Sequence, residues 1–140
     1  MFNPTRDQVR QFFFDTWDKY RKGAALAGLD QVAIGVILLH PQYHPLLDHP
    51  ERYQDRDYLP ESGDTNPFLH MSMHLAIEEQ LSIDQPPGIK AEFTRIAAKR
   101  GDRHDACHQV MECLGEMMWR AQRDGAELDA ATYLDCLRRR

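Results

Sequence analysis

Seven histidines stand in a chain of 140 residues, and four of them fall into two matching rows. His70, His74 and Glu78 are spaced four apart, and so are His104, His108 and Glu112. Side chains four apart lie on one helix face, about 6 Å from each other. Imidazole is a ligand for zinc, iron and copper, and carboxylates complete harder sites. Helical bundles build metal centres from inward side chains on facing helices. The di-iron carboxylate proteins do so with a Glu-x-x-His pair on two of theirs, a spacing these rows do not share. For a single row, a hydrogen-bonded His–Glu network in a polar core explains the residues equally well. Two rows in one small chain favour a metal.

The elements that would position the rows are helices. Asn66-Pro67 opens one of them, an N-cap followed by proline at the first helical position, and it runs to about Asp84. With His70 set at 0° and about 100° added per residue, His74 falls near 40° and Glu78 near 80°. Met71, Ile77 and Leu81 share this arc, while Ser72 and Glu79 lie opposite. His70, His74 and Glu78 therefore belong to the buried face, where a carboxylate needs a partner and a metal would be one. The second row lies on a helix from Arg103 to about Arg123, whose apolar stripe is Cys107, Met111, Leu114, Met118 and Ala121. His104 and His108 flank that stripe, Glu112 turns toward solvent with Trp119 on its flank, and Cys107 is a structural thiol.

Between the two rows, Gln85-Pro86-Pro87-Gly88 is a tight connection and Ile89 to Arg100 a short helix. Lys99 and Arg100 suit the negative end of that helix, Gly101 its C-cap, and Asp102 the N-cap of the next. The short helix carries the chain back by about 11 residues, or roughly 16 Å. The two histidine-bearing helices then run parallel and their rows meet rung by rung. His40, at the end of an earlier helix, could reach such a site as a further ligand. Capping of carbonyls at the helix end is the favoured reading for it, and a structural role is favoured for His44 and His49.

The rest of the chain supplies the frame. A first helix runs from Thr5, a suitable N-cap, to Arg21, with Val9, Phe13, Trp17 and Tyr20 in one core stripe and Phe12 beside it. Phe14 lies off that stripe and would mark a subunit contact. A second helix from Asp30 to His40 is apolar all round, which predicts a central position, and Pro41 ends it. Pro41 to Thr65 reads as a long connection of about 25 residues with a turn at Ser62-Gly63-Asp64. Its tyrosines and leucines favour packing on the body, with short helical turns inside it. A last helix from about Leu128 to Leu137 ends in a solvated Arg138-Arg139-Arg140. The expected fold is therefore all-α: a single-domain bundle of five or six helices over residues 1–140, with one long loop between the second and third.

Composition narrows the function classes. Net charge is −5, with 42% hydrophobic and 28% charged residues, an ordinary globular balance that argues against a nucleic-acid binder. The longest apolar run, Val32 to Leu39, is too short to span a bilayer, so no membrane is expected. The N-terminal residues lack the pattern of a signal peptide. Three cysteines, Cys107, Cys113 and Cys136, read as reduced thiols and predict a cytoplasmic protein. There is no Cys-x-x-Cys, phosphate-binding glycine loop, Gly-x-Ser-x-Gly or His-Glu-x-x-His.

The stretches from Asn66 to Gln80 and from Met111 to Met117, with the opening Phe2-Asn3-Pro4-Thr5-Arg6, resemble a family of small proteobacterial proteins whose domain has no known function. The resemblance runs the whole chain and implies a bacterial cytoplasmic protein, with no activity attached. In outline the His-rich helical layout is also similar to haemerythrin-like bundles.

The expected function is a metal-binding bundle with iron or zinc held by His70, His74, Glu78, His104, His108 and Glu112. A dinuclear iron centre would suit oxygen, peroxide or nitric-oxide chemistry or sensing. A zinc ion with an open position would suit hydrolysis by activated water. The alternative, from another class, is a protein-interaction module whose histidines are structural, working as a homo-oligomer or with a protein partner.

Overall fold

The computed structural model describes residues 5–59, 63 and 65–140. Met1 to Pro4, Pro60, and Ser62 and Asp64 of the expected turn lie outside them. Among the described residues the elements are all helical. They are α1 (Arg6–Arg21), α2 (Leu29–Leu38), a 3-10 turn (Pro41–Tyr43), α3 (His44–Leu47), α4 (Pro50–Tyr53), α5 (Pro67–Ile83), α6 (Ile89–Arg100), α7 (Arg103–Asp124) and α8 (Ala130–Arg138). Six are the helices the sequence predicts. The count rises to eight because the connection after Pro41 coils into two further one-turn helices. Pro41, Pro45 and Pro50 each sit in the first turn of one of these short elements. There the missing proline N–H costs nothing and the fixed φ starts a turn. No helix among the described residues is long and apolar enough to cross a membrane.

Two compact units divide the chain, residues 1–75 and 76–140, and the division falls inside α5. In the first unit, Thr5 caps α1 through a reciprocal bond with Gln8. Phe13, Phe14 and Trp17 of α1 join Ala33, Val36 and Ile37 of α2 and Phe68 and Met71 of α5 in one core. Two expectations are corrected here. Phe14 is not on the surface: it is 3% exposed and meets Phe68 edge to face. The core covers a wider arc of α1 than the stripe through Phe13 and Trp17, so neighbouring positions are both buried. Nor is α2 covered all round, for Leu29, Val32 and Leu38 of this helix, with Leu39 after it, are exposed. It packs through Ala33, Val36 and Ile37, with Ile34 partly buried beside them.

Arg10 fastens the connecting segment to α1. Its guanidinium is buried, and among the described residues no carboxylate is bonded to it. It donates instead to the carbonyls of Tyr53, Gln54 and Arg56 at 2.8–3.1 Å, and its Cζ lies 4.7 Å from the Phe68 ring centre. These carbonyls lie at and just beyond the end of α4, where unsatisfied acceptors and the helix dipole both favour a cation.

In the second unit, α6, α7 and α8 pack against one another pairwise. Asp84 caps α6 by accepting from the Gly88 and Lys90 amides. Gly101 adopts the left-handed conformation (φ 74°) that lets α6 stop and Asp102 cap α7. The buried face of α7 carries Ala106, Cys107, Val110, Met111, Cys113, Leu114 and Met117, so Cys107, Met111 and Leu114 of the expected stripe are buried. It passes through Met117 rather than the expected Met118, which is exposed, because the stripe follows i, i+3, i+4, i+7 from Val110. The expectation of three reduced thiols is also corrected. Cys113 of α7 and Cys136 of α8 are joined as a disulfide with Cα atoms 5.9 Å apart, and Cys107 is free. The packing of α8 on α7 brings together residues 23 apart in sequence, a pairing that spacing alone does not disclose.

Two outcomes follow from this packing. Arg10→Met should destabilise the protein by about 2–4 kcal/mol in denaturant unfolding, since three carbonyls lose one donor, with Arg10→Lys in between. Unfolded without reductant, the protein should show one reactive thiol, and the Cys113→Ser/Cys136→Ser double variant should lose about 3 kcal/mol of stability.

Candidate metal centre

Three histidines of the first unit meet around their Nε2 atoms. Pro41 ends α2, leaving His40 just past the last turn with its amide on the Ile37 carbonyl. The His40 side chain, 1% exposed, turns back so that Nδ1 donates to the Val36 carbonyl at 2.7 Å. A carbonyl only accepts, so Nδ1 carries the proton and the Nε2 of neutral His40 carries a lone pair. The Tyr43 ring lies parallel to His40, 5.3 Å away, and fixes its plane. Asn66 caps α5 by accepting from the Phe68 and Leu69 amides, and that helix presents His70 and His74 one turn apart. His74 is 2% exposed and His70 half-buried. His70 Nε2 lies 3.2 Å from His40 Nε2 and 3.2 Å from His74 Nε2.

This arrangement asks more of one atom than a proton can give. An imidazole nitrogen has either one proton or one lone pair. His70 Nε2 can therefore complete only one full hydrogen bond with its two ring neighbours. A metal ion removes the conflict, because all three nitrogens can turn lone pairs to it. Two nitrogens bound at 2.0–2.1 Å and 90–109° apart are separated by about 2.8–3.4 Å, and 3.2 Å lies in that range.

The second unit carries the other row. Asp102 accepts from the His104 amide and starts α7, and the rings of His104 and His108 lie 4.4 Å apart one turn along it. Burial first, then the neighbouring His108, holds His104 below the usual imidazole range, so it is neutral and able to ligate. Cys107, between them in sequence, is buried, and burial pushes its thiol up to about 11. It stays protonated at neutral pH, which fits the structural role expected of it.

The carboxylates of both rows are engaged by arginines. Arg103 holds Glu78 in a two-pronged pair at 2.7 and 3.0 Å. Glu112 is exposed and pairs with Arg140. In the first unit His40 and His74 are among the residues that could hold a metal ion, and in the second His104 and His108 are. His70 is bound into the ring group of the first. Helix-face arithmetic put His74 on the buried side of its helix, where it lies, and His104 and His108 at the flank of theirs, where they are half-buried. It gave His40 a capping role, which its Nδ1 does fill, and missed that Nε2 is thereby aimed at His70. The available signal was a histidine four residues after Val36 and just before a proline, where its side chain can fold back on the last-turn carbonyls.

His44 and His49 keep their structural roles. His44 Nε2 donates to the Ile37 carbonyl at 2.9 Å and its ring stacks on Trp17, whose Nε1 in turn donates to Asp48. His49 meets Glu51 at the surface.

No curated protein and no solved structure matches the chain. The family model for DUF1841, a domain of unknown function, matches residues 5–139, so the chain belongs to the DUF1841 family.

Proposed function

We propose that this is a metal-binding protein whose centre is built from imidazole. Its ligands are His40, His70 and His74 of the first unit. The observation that carries the proposal is the convergence of three Nε2 atoms at 3.2 Å spacings, with one proton at most to share at His70. The Val36 carbonyl supports it by fixing the His40 tautomer, as the outer partner of a metal-bound histidine commonly does. Nitrogen donors suit zinc and iron, and they argue against magnesium or calcium, which prefer oxygen. With iron the centre would support oxygen or nitric-oxide chemistry or sensing, and with zinc hydrolysis by a bound water. Glu78 and Glu112 stay outside this ligand set, since each would have to leave an arginine to join it.

The test is elemental analysis of protein purified without a histidine tag or chelator. Stoichiometric zinc or iron is expected in the wild type and in His44→Ala, and loss of it in His40→Ala and in His74→Ala. Absence of metal after anaerobic reconstitution with either ion would refute the proposal. The histidines would then be structural and the interaction reading would stand, with the exposed leucines of α2 as its first candidate surface.

A further inference from the structure

The α2 helix turns one face to solvent, and Gly35 stands at the centre of that face. We propose that a second copy of the chain covers it, with the two α2 helices crossing antiparallel at Gly35. The contact belongs to the first unit and does not depend on the metal.

With Gly35 set at 0° and about 100° added per residue, the packed side of α2 lies opposite, with Ala33 near 160° and Ile37 near 200°. Val32 falls near 60°, Leu39 near 40° and Leu38 near −60°. These three are 39%, 50% and 44% exposed, and Leu29 at the start of the helix is 57% exposed. The outward face of a surface helix ordinarily carries charge. This one carries none. Its polar member is Gln31, and Asp30, the one charged residue of α2, is bonded to Lys19 of α1.

Gly35 itself calls for an occupant. A glycine inside a helix is less stable than an alanine at the same place. Nothing among the described residues requires one here. Its φ is outside the left-handed region, and a Cβ at this position would meet no atom within 4 Å. What a missing side chain offers on such a face is room for another backbone to come close.

The spacing of the apolar residues points to a second copy. Val32 precedes Gly35 by three residues, and Leu38 and Leu39 follow it by three and four. A two-fold axis crossing α2 at Gly35 places glycine against glycine, and Val32 of each copy against Leu38 and Leu39 of the other. Each pairing is then made twice, and a face without charge brings no like charges together. A ten-residue helix offers less than the roughly 800 Å² per partner of a standard interface, so the dimer is reversible and governed by concentration.

The experiment is sedimentation equilibrium of the full chain from about 1 μM to about 1 mM, the range of weak complexes. The mass should climb from monomer toward dimer. Gly35→Ala should weaken association about tenfold or more, because two added methyl groups meet at the crossing. At concentrations where the wild type is monomeric, the same variant should melt a few degrees higher, since alanine favours the helix. Val32→Glu should abolish the dimer. Gly35→Cys should cross-link copy to copy on mild oxidation. The wild type should not, with Cys107 buried and Cys113 joined to Cys136. A wild type that stays monomeric at every concentration would overturn the proposal and leave the face to a partner of another sequence. A dimer that Gly35→Ala and Val32→Glu leave unchanged, or that Gly35→Cys does not cross-link, would place the contact elsewhere and overturn it as well. Monomeric Gly35→Ala melting lower than the wild type would show that the glycine serves the chain's own packing, and would overturn the crossing at Gly35.

Discussion

A helix stopped by proline leaves its last carbonyls without amide donors from a following turn. At the end of α2 the carbonyls of Val36 and Ile37 take the nearer amides of Leu39 and His40 instead, and two histidine side chains add a second bond to each: His40 to the first and His44 to the second. Much of the first unit hangs on those two bonds. Through His44 the helix end is tied to Trp17 and so to α1. Through His40 it is tied to His70 and His74 and so to α5. The bond to the Val36 carbonyl also chooses the His40 tautomer, so a backbone acceptor decides which nitrogen faces the ring group.

The long helices and their ends were legible because their signals are local. Thr5, Asn66-Pro67, Gly101-Asp102 and Asp124-Gly125 each mark a boundary within a residue or two of where it lies. Periodicity also placed His74 on the inward face of α5 and Glu112 on the outward face of α7. What escaped was whatever depends on the far side of a contact. The burial of Phe14 is decided by Phe68, more than fifty residues away. The exposure of one side of α2 follows from having nothing packed there, which no property of its own apolar sequence reveals. Arg10 reads as a surface residue until the carbonyls of residues 53–56 are brought to it.

The two His-x3-His-x3-Glu rows look alike in sequence, yet their third members do different work from their first two. In both, the imidazole rings lie against each other, while the carboxylate belongs to an arginine. A spacing rule treats the three positions as equivalent because it measures only rotation about one helix. The arginines that separate them come from elsewhere in the chain: Arg103 is 25 residues from Glu78, and Arg140 is 28 residues from Glu112. The competing cation has to be located before a helical carboxylate is read as a ligand.

The bond between Cys113 and Cys136 closes the intervening chain into a covalent ring. A ring changes how force and damage travel. Tension applied at the C-terminal arginines enters α7 directly at Cys113, midway along that helix, and bypasses the turn around Gly125 altogether. A single cut of the backbone anywhere from residue 114 to 135 opens the ring without releasing a fragment. The end of α8 is thus as firmly attached to the body of its unit as the middle of α7, even though only a few residues separate it from the end of the chain.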